Sequence, residues 1–286
     1  MNLGVPLGLS SGLCWGAADF FGGIQSRRLP ALTVAFWSQV AGALALATAL
    51  AVLAIQGTRP AGPEVAWGLA AGVGSGCALV LFYRGLAEGT MSVVAPISAC
   101  GAIVPVTASL LTGNHPGTLA ALGVLTAITG VILVSRPHPA TPSQPEQGER
   151  EVGPANAGGA NPVRGGRVVA MALGSAVGFG LFYVFVDAGT AASAGTTGSR
   201  GSPLWVIAGA RMSSLAILST IAVVSRGSAL RWPGRRVGAV ALVGLGDTGA
   251  NLLFAYAATT GNLAVVGVLG SLYPVATVVL ARWLLG

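Results

Sequence analysis

The sequence contains no lysine, and arginine, aspartate and glutamate together supply only 8% of its 286 residues, where soluble domains carry roughly 25%. So few charges cannot build a water-solvated surface, which excludes an ordinary soluble domain. Without lysine there is no GxxxxGK[ST] loop to hold nucleotide phosphates, so ATP-driven work of that kind is excluded as well. Histidine occurs only at His115 and His138, both in connecting stretches without a ligand partner. The cysteines, Cys14, Cys77 and Cys100, are odd in number, lie in apolar segments and show no CxxC or Cys/His spacing. They read as small core residues, so neither a metal site nor a disulfide framework is expected. No Ser/His/Asp or HExxH grouping occurs, which points away from an enzyme, and no cofactor is implied. The net charge of +7 comes from arginines placed singly or in pairs beside apolar runs, not from a stripe with interleaved aromatics. A nucleic-acid partner is therefore not expected.

What the chain has is hydrophobic length, with 53% hydrophobic residues. Nine apolar stretches can be drawn: Leu3–Gly22, Ala31–Ile55, Glu64–Gly85, Met91–Thr112, Gly117–Ser135, Arg167–Asp187, Pro203–Ser225, Val237–Ala258 and Asn262–Leu285. Each approaches the roughly 20 residues that a helix needs to cross a bilayer. Barrel strands would instead alternate apolar and polar positions over about 10 residues. In lipid a continuous helix satisfies every backbone donor and acceptor internally, so the expected class is an all-α polytopic membrane protein. The stretch Arg136–Gly166, rich in Pro, Gly, Gln and Glu, reads as a flexible linker between residues 1–135 and 167–286, and the Gly/Ser/Thr-rich Ala191–Ser202 as a second loop. Twelve arginines follow odd-numbered spans, whereas the alternate loops hold only Arg59 and Arg200. That asymmetry places the first set in the cytoplasm and the N-terminus outside.

Sliding the second half onto the first by 172 positions superposes Leu81-Phe82 on Leu253-Phe254, Gly89 on Gly261, Val93-Val94 on Val265-Val266 and Gln39 on Arg211. A unit of five helices repeated in this way enters the membrane in opposite senses, which gives an inverted repeat. The segments GLCWGAADFFGG at Gly12–Gly23, LFYRGLAEGTMSVVAPISACGAIVPV at Leu81–Val106 and NLLFAYAATTGNLAVVGVLGSLYPVATVVLARWLLG at Asn251–Gly286 resemble the drug/metabolite transporter superfamily, in its EamA-type ten-helix branch. The resemblance covers essentially the whole chain and is specific for fold but not for substrate. Two departures stand out: Gly113 is followed by Asn114 where the family commonly has Gly-Glu, and the sequence stops at Gly286, before a tenth helix, leaving four helices for the second unit. The resemblance implies a carrier for a small organic solute, a metabolite, amino acid or drug, working outward at the plasma (inner) membrane. A non-transporting scaffold or accessory subunit is the alternative, and a homodimer in the lipid is compatible with either.

Three charges fall inside spans, where each costs about 2.5–3.5 kcal/mol at a helix centre and so faces a cavity or a partner. These are Asp19, Arg211 and Asp247. Arg211 and Asp247 are expected to meet across a cavity, Arg211 holding an anionic group and Asp247 balancing it or taking a proton; a static ion pair is the plainer account. Asp19, nearer the end of its span, suits a gate or coupling position. Asn251 lies one turn beyond Asp247 on the same face. Gln39, Trp15, Trp37, Tyr83, Tyr256 and Tyr273 are the other candidate solute contacts, although such aromatics also serve interfaces and packing. Corresponding helix breaks are expected at Pro96, Gly101 and Pro105 in the fourth span and at Gly267, Gly270 and Pro274 in the ninth, as kinks or as cavity-lining backbone. Glycines repeating every four residues, at Gly4, Gly8, Gly12 and Gly16 and at Gly68, Gly72 and Gly76, mark close helix packing or sliding surfaces.

Overall fold

A computed structural model describes residues 3–55, 62–88, 94, 97–113, 162–192, 203–224 and 231–285, with five isolated positions between 118 and 129. Every regular element among them is helical. Helix α1 covers Gly4–Ser26, α2 Ala31–Ile55 and α3 Gly62–Glu88. A 3-10 turn at Cys100–Ala102 leads into α4, Ile103–Leu111, and the second half contributes α5 (Pro162–Ala192), α6 (Pro203–Val224), a 3-10 turn at Gly234–Arg236, α7 (Val237–Thr260), α8 (Leu263–Gly270) and α9 (Tyr273–Leu285).

The ends follow from local chemistry. Proline opens α5 and α6 and stands second in α3 and α9, where its missing N–H has no intrahelical acceptor to serve. Asn262 caps α8 by accepting the Ala264 N–H at 2.9 Å. Gly113, at φ 75°, closes the turn after α4 in the left-handed conformation that glycine adopts without strain.

Six described helical stretches are long and apolar enough to cross a membrane: Leu32–Val52, Gly62–Phe82, Gly165–Ala192, Pro203–Val224, Gly234–Thr260 and Leu263–Leu284. Helix α1, at 23 residues, has the length, but glycine, serine and Asp19 dilute its hydropathy. The fourth and ninth spans, read from sequence as single helices, are interrupted. The 3-10 turn at Cys100–Ala102 interrupts the first, and the Ser271–Leu272 turn divides the second into α8 and α9. Helix α5 starts five residues before the expected Arg167 and runs five past Asp187. All but five residues of the expected span Gly117–Ser135, and residues 136–161 of the linker Arg136–Gly166, lie outside the described residues.

Helix α3 lies along α5 and α6, α1 along α7, α8 and α9, and α2 against α6 and α7. Small residues make these seams close. A Cβ on Gly72 would collide with the Ala210 carbonyl and the Ser213 hydroxyl, one on Gly244 with the Ser38 carbonyl, and one on Gly12 would stand 2.6 Å from the Leu269 carbonyl oxygen. Close approach also brings side-chain donors onto neighbouring backbones: Ser213 Oγ donates to Leu69 O at 2.8 Å, Ser11 Oγ to Ala250 O at 2.9 Å and Thr277 Oγ1 to Gly16 O at 3.0 Å. Since apolar surface gains little by leaving lipid for protein, such packing and hydrogen bonds carry much of the association. The buried cluster of Phe182, Tyr183, Val186, Val206, Ile207 and Phe254 fills the middle of the bundle.

A side chain at Gly72 should therefore force α3 from α6. Gly72→Val is expected to destabilise the protein by about 1–3 kcal/mol, the usual cost of overpacking, whereas Gly23→Ala, which meets nothing within 4 Å, should leave the unfolding midpoint in detergent unchanged or slightly raised. Equal midpoints for the two variants would show that the α3–α6 seam is not tight.

Candidate functional site

Helix α6 carries Arg211 eight residues beyond Pro203, about 12 Å along at ~1.5 Å per residue. It is 6% exposed, so its charge must be met inside the protein. Both terminal nitrogens donate to Asp247 Oδ2 at 2.9 Å, Nη2 also donates to Thr248 Oγ1 at 2.9 Å, and Nη1 to Gln39 Oε1. Thr248 passes its own proton to Gly244 O at 2.8 Å. Four of the five N–H donors of a guanidinium are thus spent within the protein, across α2, α6 and α7. Little of Arg211 remains for the anionic group expected of it.

This cluster lies on the wall of a cavity of about 170 Å³. Trp15 and Asp19 from α1, Gln39 from α2, Asp247 and Asn251 from α7, and Tyr273 at the start of α9 all line it. Asp19, expected near the end of its span as a gate, instead opens into the same space as Asp247 and has no hydrogen-bond or ion-pair partner among the described residues. The Asn251 amide turns back to donate to Asp247 O at 2.5 Å. Trp15 packs against Phe182, Tyr183 and Phe254 at centroid distances of 6.5, 5.8 and 5.8 Å, within the range of favourable ring pairs.

Two expected contacts lie elsewhere. Trp37 donates from Nε1 to Arg231 O at 3.0 Å and meets the Trp232 ring at 4.8 Å, at one end of the bundle. It is two residues from Gln39, about 200° around the helix, and so faces away when Gln39 faces in. Tyr256 is 43% exposed and, nine residues from Asp247, lies about 180° away on α7. The side chain of Tyr83 and all of Pro96 are outside the described residues. Of the expected breaks, Gly101 lines the cavity, and a Cβ on Gly270 would approach the Trp15 ring at 3.1 Å. Pro105 packs on Gly267, where a Cβ would stand 2.7 Å from its ring, and so serves the crossing of α4 and α8. Pro274 opens α9 and does not line the cavity.

The sequence reading missed the α5 wall. Phe179, Phe182 and Tyr183 face the cavity together with Phe82 and Ile207, and the i, i+3, i+4 spacing of the first three within FGLFYVF at Phe179–Phe185 was the available signal. It also missed Ser75, Ser98, Ser214 and Ser271 on the same wall. The Ser98 hydroxyl is buried without a partner among the described residues.

Apolar helices around a cavity that holds a charge cluster define a multi-pass membrane protein. Residues 2–136 match the model described as EamA-like transporter family, so this stretch of the chain is similar to membrane transporters of that family. Among solved structures, one titled only "Crystal structure of protein" superposes with a TM-score of 0.71 at 16% identity, covering 98% of this chain and 88% of its own. That likeness is one of fold. No curated protein matches the sequence.

Arg211→Met should leave Asp247 without its counter-charge. Because the Asp247 side chain is 30% exposed to the cavity, the expected loss is about 2–3 kcal/mol, below the ~3–5 kcal/mol for opening a fully buried pair. The double variant Arg211→Met/Asp247→Leu should recover part of it in thermal unfolding. A single-variant midpoint equal to that of the parent would show that the pair holds nothing together.

Proposed function

We propose that the protein is a secondary transporter that moves a small organic solute outward across the plasma (inner) membrane by alternating access. The observation that carries this reading is the cavity itself. Both halves of the chain wall it, and the Arg211–Asp247 pair stands on that wall, with Arg211 about 12 Å into α6. A scaffold needs no internal space lined by charged and aromatic side chains, so the cavity favours the carrier.

An inverted repeat accounts for how two halves share one chamber. Helices α2 and α6 begin 172 residues apart, at Ala31 and Pro203, as do the helical stretches opening at Gly62 and Gly234. The interruptions at 100–102 and 271–272 fall at nearly the same offset. Pairings exchange in the same way: α3 lies on α5 and α6 as α7 lies on α1 and α2. Gln39 and Arg211, equivalent positions, hydrogen-bond to each other, as expected where a pseudo-two-fold axis crosses the cavity. Rocking one unit against the other would open this chamber to one side and then the other, with the N-terminus outside. The solute gradient or protons would supply the energy, and Asp247 is the candidate coupling group.

In proteoliposomes containing the full chain, a panel of radiolabelled metabolites, amino acids and drugs should include a solute whose flux exceeds that of protein-free vesicles. Asp247→Asn should abolish its dependence on an imposed pH gradient while leaving folded protein in the membrane. Unchanged pH dependence would remove the proton role from Asp247, and absence of flux for the entire panel would favour the scaffold.

A further inference from the structure

The charges lining the cavity do not balance. Among the described residues three side chains with a formal charge at neutral pH reach it, Asp19, Arg211 and Asp247, and they differ in how they are satisfied. Arg211 and Asp247 neutralise each other through two hydrogen bonds of 2.9 Å, and Gln39 and Thr248 take two further guanidinium donors. Asp19 has no such partner among the described residues, is exposed, and lines the chamber. One carboxylate is therefore left over in a space walled mainly by apolar groups. There an unmatched charge interacts more strongly with an incoming counter-ion than it would in water.

The groups around it are aromatic. Trp15 lies one turn before Asp19 on α1, and the rings of Phe182 and Tyr183 pack against it, with Phe82, Phe179 and Tyr273 completing the wall. Aromatic faces attract cations through their quadrupole and also accept flat apolar bodies. An anion would meet the uncompensated Asp19 and find Arg211 already engaged.

We propose that the solute of this chamber is an organic monocation with an aromatic or alkyl body, its positive centre set against the Asp19 carboxylate and its body among the rings around Trp15. Arg211 is then a positioning residue that keeps Asp247 neutralised and α2, α6 and α7 together. It is not the anchor for the solute. The proposal rests on the transporter reading for its physiological meaning, but its test measures binding alone, so the two can fail separately.

The full chain in phosphatidylcholine nanodiscs, with empty discs as the blank, should be titrated with three probes of nearly equal shape: N-methylquinolinium, 1-methylnaphthalene and 1-naphthoate. Saturable binding of N-methylquinolinium at least tenfold tighter than that of either other probe is expected. Asp19→Asn should lower that preference to below threefold, and Asp19→Glu should restore most of it. Should the Asn variant not fold, the probe comparison on the unaltered protein still decides. Preferential binding of 1-naphthoate, equal binding of all three probes, or a cation preference that survives Asp19→Asn would each overturn the proposal. Cation binding without vesicle flux would sink the transporter reading and leave this one standing.

Discussion

A guanidinium buried among apolar helices must be fully met by partners, and at Arg211 that requirement fixes the relation of three helices. Its partners come from α2 through Gln39 and from α7 through Asp247 and Thr248. They can reach it only if α2 and α7 run nearly in contact, and two glycines allow this: a Cβ on Gly42 would strike the Thr248 hydroxyl, and one on Gly244 the Ser38 carbonyl. The same contact orients the threonine, which accepts from Arg211 and donates to Gly244 O. Packing and electrostatics at this point are one constraint. Filling the α2–α7 seam would displace the hydroxyl that Arg211 needs, and removing Arg211 would leave a carboxylate facing an apolar interior.

The cavity is a consequence of what lies on either side of that knot. Helix interruptions at Cys100–Ala102 and Ser271–Leu272 bring short half-helices to the wall, so backbone as well as side chains borders the space. Irregular backbone of this kind is tolerated at membrane depth only where it is buried in protein or lines a cavity. The aromatic cluster around Trp15 and Tyr183 then supplies surface that is rigid and apolar, while Asp19 and Asp247 supply charge at separated points. Between these features and the periphery run seams of small residues, which let the helices approach closely.

Much of the fold was legible from hydropathy alone, because a bilayer-length apolar run has few other uses. The helices at Ala31 and Val237 begin where expected. The interruptions were visible only as glycine and proline composition, since a break needs tertiary neighbours to accept the freed backbone groups, and composition cannot say whether they exist. The charged members of the site, Asp19, Arg211 and Asp247, were legible for the same reason as the helices: charge inside a span is costly and is kept for a purpose. Aromatics were not. Trp37 and Tyr256 were expected at the site and lie outside it, while Phe182 and Tyr183 were overlooked. An apolar ring is equally at home facing lipid, core or cavity, and only its angular position relative to a charged neighbour on the same helix distinguishes them.

The central claim is that the space beside Arg211 and Asp247 is a hydrated chamber reached in turn from both faces of the membrane. A Ser75→Cys variant, with Cys14, Cys77 and Cys100 replaced by serine, places a single thiol on its wall. The membrane-impermeant cation 2-(trimethylammonium)ethyl methanethiosulfonate, applied separately to right-side-out and inside-out vesicles, should modify that thiol from either side. Modification from one face only, or from neither, would contradict the account.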